Sequence, residues 1–539
     1  MASTDDNSMG PKNSSHVVLE GSRRFHRAGA EVQGRSDAHE WCEVTVKVRR
    51  KAELPEPVAG KAVLTQAEAM KNHGASENDL DTVSNVLSGF GLTIISKNVA
   101  TRTVRIAGPV AAMEKAFQVH LFQVKHLDRV YRGRVGEIFV PIALDKIITG
   151  VFGLDTRPMI RHRGSLKSVA PTTLPPANSR PWFTPPELAA QYNFPSNNGS
   201  GQTIGIIELG GRYVASDLQQ FATLVGFTAP KVNVIQVETL SPSDSNDSDA
   251  ISEVMLDIEV AAAVCPQATL AVYFSNFTEK GWVDVIDAAL SDSTNNPSVL
   301  SISYGLAEGS DIWTAQAMTA VNEAMKEAAV RGIPVCVAAG DDGSEDQVED
   351  GLAHVDFPSS SPYVLCVGGT ILHKDGTETV WFEGDGLRKD RGGATGGGVS
   401  NVFDRPAWQS NITIKSVNPN QMNGRVVPDV AADAAGGTGY LIVAQGSQGV
   451  CGGTSAATPL WAALIARLNN MGKPLHYATP LFYQPNANTG GKPLGGLACK
   501  DIVEGNNDSA AAGGYSAEVG YDAVTGWGTP NGTNLVRYL

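Results

Sequence analysis

The sequence predicts an α/β fold, in which a parallel sheet with helices on both faces follows a smaller ferredoxin-like α+β domain. The chain has 539 residues, which is too long for one ordinary domain. Beyond residue 187, continuous apolar runs alternate with helical patterns, as expected of strands buried on both faces. Before that point the elements follow a β-α-β-β-α-β order, and a proline-rich segment separates the two parts.

The N-terminal part is predicted to contain a loose, polar segment at 1–40 and a folded domain at 41–163. Residues 43–49 (EVTVKVR) alternate between apolar and polar side chains, which is typical of a half-buried strand. A helical pattern, a second strand and a second helix follow at 65–90, 101–107 and 109–116. The runs FQVHLFQV and EIFVPI predict further strands and complete the ferredoxin-like order.

The segment 164–186 is predicted to be an exposed, extended linker, because proline lacks a backbone donor and fixes its own φ. Its prolines are Pro171, Pro175, Pro176, Pro181, Pro185 and Pro186. Exposed loops are where proteolytic cleavage concentrates, so we expect a processing site here.

The remaining residues, 187–539, are expected to form the larger domain. Its buried strands are predicted at 203–209, 269–274, 298–305 and 333–340, with helices at 215–225, 250–264, 281–290 and 312–331. In such sheets ligands bind beyond the carboxyl ends of the strands, so we expect the functional residues there.

Charge is distributed unevenly along the chain, which carries a formal net charge of −14. Residues 1–170 have 24 Lys and Arg against 18 Asp and Glu, a net charge of +6, whereas residues 171–539 carry −20. The two parts should attract each other at neutral pH and less so in acid, although two solvated surfaces of opposite sign are also possible. The acidic C-terminal part argues against nucleic acid as a partner.

Membrane, export and zinc signals are missing from the sequence. No apolar run reaches the roughly 18 residues that a membrane span needs, and the first 20 residues have no apolar signal core. The six cysteines form no CxxC motif, which argues against a zinc site.

The strongest chemical signal is the run 452–459 (GGTSAATP), which precedes an apolar helical stretch. This turn places the Ser455 hydroxyl at a helix N-terminus, where backbone N–H groups can hold an oxyanion. Ser455 is therefore a candidate nucleophile. A Ser/Thr cap before a buried helix is the plain alternative.

A serine nucleophile needs a base, and a carboxylate pair is the best candidate. Beyond residue 187 the only histidines are His354, His373 and His476, none of them in a recognisable base motif. Glu253 and Asp257 lie four residues apart, so they share one helix face. Two carboxylates so close resist joint ionisation and should retain a proton in part of the acid range, where imidazole is already charged. An exposed acidic helix face would give the same spacing.

Asp341 is a third candidate, because AAGDDG (338–343) follows a buried strand and places a carboxyl group beside glycines. A protonated Asp341 could donate to an oxyanion, a role that an amide fills in neutral-pH enzymes. Asp and Gly also favour ordinary turns.

Together these ordered motifs resemble the sedolisin family of serine-carboxyl peptidases, and within it the kumamolisin-like members with a long N-terminal activation domain. The resemblance implies a subtilisin-like fold for the larger domain. It also implies Ser455 as nucleophile, Glu253 as general base, Asp257 as its proton-sharing partner and Asp341 as the oxyanion acid. The resemblance also bears on three further positions. Glu208 matches a further acidic residue of some family members. Tyr304 stands where a tryptophan is common, and Asp342 stands where a small or amide residue is commoner. We expect Asp342 to favour protonation of one of the two adjacent aspartates.

The same resemblance implies one calcium ion near the C-terminus. Its ligands would be the side chains of Asp501 and Asp522 and the carbonyls of Ile502, Glu518 and Gly520. Calcium prefers six to eight oxygen ligands, but two aspartates in glycine-rich loops are also compatible with surface turns.

The resemblance further implies an extracellular, self-processing precursor that is a monomer, acts on proteins or peptides, and is inhibited by its own prodomain. No organic cofactor, nucleic acid or membrane partner is expected.

Asp356 is a candidate for favouring a basic residue before the cut bond, or simply a turn cap. We interpret the glycine-rich segment 392–400 as a flexible cleft loop. The alternatives are a neutral subtilisin-type protease with His354 as base, and an inactive binding protein of the same fold.

Overall fold

The computed structural model describes residues 15–159, 167–168, 174–309, 312–388 and 392–539. Residues 164–166 and 169–173 of the linker predicted at 164–186 lie outside these ranges, as do residues 1–14. The two parts of the chain form an N-terminal domain, which ends near residue 159, and a C-terminal domain, which includes residues 167–168 and continues from residue 174.

The N-terminal domain is built around a four-stranded antiparallel sheet with the strand order β4-β5-β3-β9. This is the ferredoxin-like arrangement predicted from the sequence, with three short strands inserted before β9. Its strands are β1 (His16–Val18), β2 (Glu31–Arg35), β3 (Trp41–Val48), β4 (Thr93–Asn98), β5 (Thr103–Pro109), β6 (Phe122–His126), β7 (Arg129–Gly133), β8 (Phe139–Pro141) and β9 (Ile148–Phe152). Its helices are α1 (Gln66–His73), α2 (Glu77–Ser88) and α3 (Val110–Phe117).

The prediction that residues 1–40 are loose is wrong for the described residues of that segment. Strand β1 pairs with β8, and β2 pairs with β6. All five residues of β2 are exposed, so backbone pairing rather than burial holds this strand. Hydrophobic periodicity cannot detect such a strand, because no face of it is apolar.

The C-terminal domain contains a mainly parallel sheet with the order β12-β13-β11-β14-β16-β18-β19, and β24 also pairs with β18. Only β19 runs antiparallel to its neighbour. The strands of this domain are β10 (Lys167–Ser168), β11 (Thr203–Leu209), β12 (Lys231–Gln236), β13 (Thr269–Ser275), β14 (Val299–Ile302), β15 (Leu306–Ala307), β16 (Val335–Ala338), β17 (Asp356–Phe357), β18 (Leu365–Leu372), β19 (Glu378–Val380), β20 (Phe382–Glu383), β21 (Gly393–Ala394), β22 (Gly398–Asp404), β23 (Gly424–Val427), β24 (Val430–Asp433), β25 (Tyr440–Ala444), β26 (Ser447–Cys451), β27 (Cys499–Lys500) and β28 (Thr529–Pro530).

Helices cover both faces of this sheet, as the sequence predicts. They are α4 (Pro185–Gln191), α5 (Ala215–Val225), α6 (Pro242–Ser245), α7 (Ser248–Val264), α8 (Glu279–Ser291), α9 (Ala315–Val330), α10 (Thr454–Asn470), α11 (Thr479–Tyr483), α12 (Gly495–Ala498) and α13 (Gly532–Tyr538). Ile204 and Ile206 of β11 pack in one apolar core with α5, α7 and α10. Ile207 and Leu209 point to the other face and pack with α8 and α9.

The N-terminal domain sits on α8 and α9. The Thr45 hydroxyl donates to Asp284 (3.1 Å), and the Gln316 side chain bonds both backbone groups of Val151 (3.2 and 3.1 Å). Where the N-terminal domain ends, the Met159 N–H donates to the Phe277 carbonyl (2.9 Å). These contacts bring the end of the N-terminal domain to the carboxyl edge of the sheet, because Phe277 follows β13.

Candidate active site

Ser455 is the second residue of α10, directly after a turn that only glycine can form. Gly453 has φ +104°, and a Cβ there would lie 2.8 Å from Oδ2 of Asp341. Ser455 is 7% exposed, and its hydroxyl donates to the Ser303 carbonyl (3.2 Å). The turn thus places this hydroxyl beside a carboxyl group at a helix N-terminus.

Glu253 and Asp257 lie on one face of α7, as their spacing predicts. Glu253 is half-buried, whereas Asp257 is fully buried. Burial raises the pKa of Asp257 well above its usual range, and the negative charges of Glu208 and Glu253 add to the effect. Asp257 is therefore set up to hold a proton beside Glu253.

Glu208 and Tyr304 extend this acidic cluster inward. Glu208 lies in β11 and is fully buried, and it accepts a hydrogen bond from the Tyr304 hydroxyl (3.0 Å). Tyr304 stands where the resemblance leads one to expect tryptophan. A phenol therefore takes the place of the indole donor at this position.

Asp341 follows β16 and caps the helix that carries Ser455. Its Oδ1 accepts from the Thr454 N–H (2.8 Å) and from the Thr454 hydroxyl (2.7 Å). Asp341 thus provides, from a different strand, the acceptor that an N-cap side chain usually supplies. These two hydrogen bonds hold the Asp341 carboxylate against the turn that precedes Ser455.

Arg388 is a charged residue of the site that sequence reasoning missed. Its Nε and Nη2 donate to Oδ2 of Asp342 (3.0 and 2.8 Å), and its Nη1 donates to Oδ2 of Asp341 (3.2 Å). The negative charge of Asp342, which we expected to act on Asp341, is therefore paired with the Arg388 guanidinium. No local motif marks Arg388, because it comes from a loop 46 residues further along the chain.

These residues meet in one small cavity of about 30 Å3. The lining residues are Glu253, Phe277, Ser303, Tyr304, Gly305, Ala338, Gly340, Asp341, Asp356, Arg388, Thr454 and Ser455. Three of the four predicted catalytic residues are among them, and Asp257 lies one helical turn behind Glu253.

No histidine is among the lining residues. The His354 imidazole instead pairs with Asp350 (Nε2–Oδ1 2.9 Å), and Nδ1 of His476 contacts the Gly332 carbonyl (3.0 Å). The described cavity therefore provides carboxylates, and no imidazole, next to the serine.

The glycine-rich segment 392–400 differs from the flexible loop predicted for it. The Gly396 N–H donates to the Gly340 carbonyl (2.8 Å), and the Ala394 N–H donates to the Asp341 carbonyl (3.0 Å). A Cβ at Gly396 would lie 2.0 Å from the Ala339 carbonyl oxygen. Glycine is needed here for close backbone packing against the strand that leads to Asp341.

Comparisons with known proteins identify the family of the chain. Residues 53–157 match the pro-kumamolisin activation domain, and residues 240–480 match the subtilase family. Kumamolisin from Bacillus sp. (strain MN-32) is 40% identical to the chain, over 97% of this chain and 96% of that protein. The chain belongs to the sedolisin family of serine-carboxyl peptidases.

Other sedolisin-family proteins support the assignment. Sedolisin from Pseudomonas sp. (strain 101) is 30% identical over 80% of this chain and 74% of that protein. A solved structure of Pseudomonas sedolisin, a serine-carboxyl proteinase complexed with pseudo-iodotyrostatin, has a TM-score of 0.57 at 30% identity. It covers 66% of this chain and 97% of its own. The chain is thus a sedolisin-family peptidase that carries its activation domain, as a zymogen does.

The calcium ligands implied by the sedolisin-family resemblance come from two segments, 501–502 and 518–522, that a hydrogen bond joins. Oδ2 of Asp501 accepts from the Gly520 N–H (2.8 Å), and Oδ2 of Asp522 accepts from the Glu518 N–H (3.2 Å). Burial raises the pKa of Asp522 to about 6. Across the described ranges no group of three or more His, Cys, Asp and Glu side chains could hold a metal. A calcium site here would therefore rest on two carboxylates and backbone carbonyls.

Asp356 lies at the floor of the cavity in β17. It is 1% exposed, and a Cβ at Gly305 would lie 3.0 Å from its Oδ2. The missing side chain at Gly305 thus leaves room next to a buried carboxylate.

Proposed function

We propose that the chain is the self-processing precursor of an acid-active serine endopeptidase. In this proposal 41–163 is the activation domain, 164–186 contains the processing site, and 187–539 is the peptidase. The observation that carries it is the single cavity lined by Ser455, Glu253 and Asp341. A hydroxyl, a base and an oxyanion donor that reach one point are what acyl transfer requires.

Glu253 is the general base of this proposal. When the Ser455 hydroxyl turns from the Ser303 carbonyl to Glu253, its proton passes to the carboxylate while Oγ attacks the substrate carbonyl carbon. The proton then goes to the leaving amine, and water hydrolyses the acyl-enzyme by the same route. Asp257 stays protonated because of its raised pKa, and shares that proton with Glu253.

Asp341 is the oxyanion donor of this proposal. In its protonated form it donates to the negative charge that develops on the substrate carbonyl oxygen. Removing one such donor costs on the order of 10²- to 10³-fold in kcat. The need for a protonated acid here is one reason to expect activity at low pH.

Ion pairs between the two domains support release in acid. On one side are cations of the activation domain and on the other carboxylates of the peptidase: Arg24–Glu279 (2.7 Å), Arg50–Glu327 (3.0 Å), Arg102–Glu323 (2.9 Å), Arg129–Asp244 and Lys47–Asp287. Protonation of a carboxylate removes its pairing with the cation, so acid weakens such contacts. The activation domain is in this way an intramolecular partner that inhibits at neutral pH.

Asp287 is an exception within this interface. Burial raises its pKa despite the neighbouring Lys47. A pKa that is higher in the assembled state means that assembly takes up a proton, so this group favours assembly as the pH falls. We therefore attribute release to the more exposed pairs, such as Arg129 with Asp244.

Buried acids also favour a peptidase that works at low pH. Burial raises the pKa of Glu308 to about 7 and that of Asp433 to about 8, and it raises the pKa of Asp257 and Glu259 as well. Each native pKa exceeds the unfolded value. The stability they contribute is therefore complete below about pH 4 and is lost as the pH rises towards 8.

The test is to incubate the full-length chain at pH 4 and at pH 7, follow its length, and then measure kcat/KM of the product against pH. We expect shortening and peptidase activity at pH 4 and little of either at pH 7. The melting temperature of the product should fall between pH 4 and pH 8. An activity that is lost in acid and maximal near pH 8 would instead favour a histidine base, and a chain that never shortens would favour an inactive binding protein.

One calcium ion is proposed at the loop formed by Asp501, Asp522 and the carbonyls of Ile502, Glu518 and Gly520. Hard oxygen ligands and the burial of Asp522 fit a calcium ion, which would compensate the buried charge. We expect calcium to raise the melting temperature of the chelator-treated protein, and Asp501→Asn to remove that shift. An unchanged melting temperature in the wild type would contradict this site.

Asp356 is proposed to favour a basic residue before the cut bond. Its carboxylate is buried among the residues that line the cavity, where an arginine or lysine of the substrate would find an opposite charge. We expect Asp356→Ala to lower kcat/KM for peptides with Arg at this position by about tenfold or more, but not for peptides with Leu. Equal effects on both peptides would remove this idea.

The remaining proposals concern the location, the oligomeric state and the partners of the protein. We expect an extracellular monomer whose only other partners are protein and peptide substrates, with the detached activation domain as an inhibitor in trans. Among the helices of the described residues, a span of the length and hydropathy that a bilayer requires was not found.

A further inference from the structure

We infer that the N-terminal domain binds one small inorganic anion, such as chloride, between the side chains of Arg27, Arg157 and Tyr131. These side chains meet beside the three-stranded sheet β2-β6-β7. Among the described residues, the site shares no lining residue with the catalytic cavity. Anion binding is therefore independent of the proposed peptidase mechanism, and its test succeeds or fails separately.

The cavity at this site is lined by cations and by apolar side chains. Its volume is about 20 Å3, which is room for one water molecule or one monatomic ion. Its polar lining includes Arg27, Tyr131 and Arg157, and its apolar lining includes Val32, Phe122 and Val124. No aspartate or glutamate is found among the described residues that line it. A ligand in this cavity thus meets positive charge without a competing carboxylate.

Two buried side chains of the cavity have donors to offer. Arg157 is 6% exposed, and its Nη2 donates to the Phe25 carbonyl (3.2 Å), but its Nε and Nη1 form no hydrogen bond with the described residues. The Tyr131 hydroxyl, also buried, forms none with them either. Burial raises the pKa of Tyr131, although the charge of Arg157 opposes this, so the hydroxyl keeps its proton and can donate. Buried donors without an acceptor are costly, and a bound anion would satisfy them.

Positive charge exceeds negative charge around this cavity. Nη1 of Arg27 donates to a neutral group, the Pro158 carbonyl (2.9 Å). Asp155 contacts the cluster but is shared, since its Oδ2 lies 3.8 Å from Nε of Arg24 and 3.7 Å from Nη2 of Arg157. Burial and the charges of Arg157 and Arg24 lower the pKa of Arg27. In all, four guanidinium groups face two carboxylates: Arg24, Arg27, Arg134 and Arg157 against Asp155 and Glu279.

An anion suits these walls better than a water molecule does. Guanidinium groups only donate, so a water molecule would accept from them and direct its own hydrogens towards apolar side chains such as Val32 and Phe122. An anion accepts from every donor and offsets part of the excess charge. The volume favours an ion close to water in size, such as chloride, over the larger sulfate or phosphate.

The bound anion should stabilise the precursor. Arg27 holds the Pro158 carbonyl, and the next residue, Met159, donates to the Phe277 carbonyl of the C-terminal domain. An anion between Arg27 and Arg157 therefore strengthens the part of the N-terminal domain that adjoins the peptidase. A ligand that binds only the folded state raises its stability according to ligand concentration.

The test measures the melting temperature of the full-length chain at pH 7 while chloride replaces gluconate at constant ionic strength. Ser455→Ala is included so that no shortening occurs, and gluconate is too large for the cavity. We expect a saturable rise of about 2 °C or more with chloride. The chloride NMR signal should also broaden in the presence of the protein.

Three variants locate the response. Arg157→Gln should abolish both the rise and the broadening, and Tyr131→Phe, which removes only a hydroxyl, should weaken them. Arg35→Gln is the matched control, because it removes a positive charge from the same sheet at a side chain that is 47% exposed and paired with Glu114. This variant should keep both responses.

Several outcomes would overturn the inference. If chloride changes neither the melting temperature nor the line width, the cavity takes up water instead. A melting temperature that depends on ionic strength alone would indicate charge screening and no site. A full chloride response in Arg157→Gln would place the ion elsewhere. Should Arg157→Gln fail to fold, an undiminished response in Tyr131→Phe would contradict the site.

Discussion

Ser455→Ala is expected to abolish both self-processing and peptidase activity. The hydroxyl is the only atom of the proposed site that forms the acyl bond, so its removal leaves at most the weak assistance of the oxyanion donors. The expected loss in kcat is on the order of 10⁶-fold. The measurement is the length of the precursor after incubation at pH 4, together with peptide cleavage.

A control on the same helix separates chemistry from folding. Thr458 is buried one turn further along α10, and its hydroxyl donates to the Thr454 carbonyl (2.7 Å). Thr458→Ala should change the melting temperature but retain processing. The Ser455→Ala precursor should also be cut in trans by processed wild-type enzyme, which shows that its linker is accessible. Shortening of Ser455→Ala alone at the wild-type rate would place the nucleophile elsewhere.

The main elements of the fold were predictable because helices and strands with a buried face have apolar residues at regular intervals in the sequence. The helix predicted at 215–225 has the same bounds in the structure, and β11 coincides with the apolar run at 203–209. Both elements pack an apolar face against the core, so their patterns follow their geometry. The serine turn was predictable for a related reason, since Gly453 is required by the close approach of Asp341.

Features that depend on partners far away in the chain were not predictable. Arg388 pairs with Asp342 across a loop, and no spacing rule links two residues 46 positions apart. Strand β2 is exposed throughout, and Gly396 packs against a carbonyl that only the folded sheet brings near. In each case the sequence shows the residue type, but the contact that determines the structural role of the residue forms only in the folded protein.

Glu253→Gln is expected to reduce kcat on the order of 10³-fold at pH 4, because the amide cannot accept the proton of Ser455. The side chain keeps its size, so binding of substrate should change little and the loss should appear in kcat rather than in KM. Asp257→Asn should cost less, since Asp257 is proposed to act in its protonated form and an amide still donates. Kinetics of enzyme produced by trans-cleavage of each variant precursor measure both effects.

Glu259→Gln is the matched control, with the same substitution on the same helix. Glu259 is fully buried, burial raises its pKa, and its Oε2 accepts from the Val443 N–H (2.7 Å). Glutamine retains that acceptor and imitates the neutral acid, so this variant should keep activity close to wild type. If Glu253→Gln were equally active at pH 4, the serine would have to be deprotonated by another group. Because no imidazole lines the described cavity, such a result would refute the carboxylate relay rather than modify it.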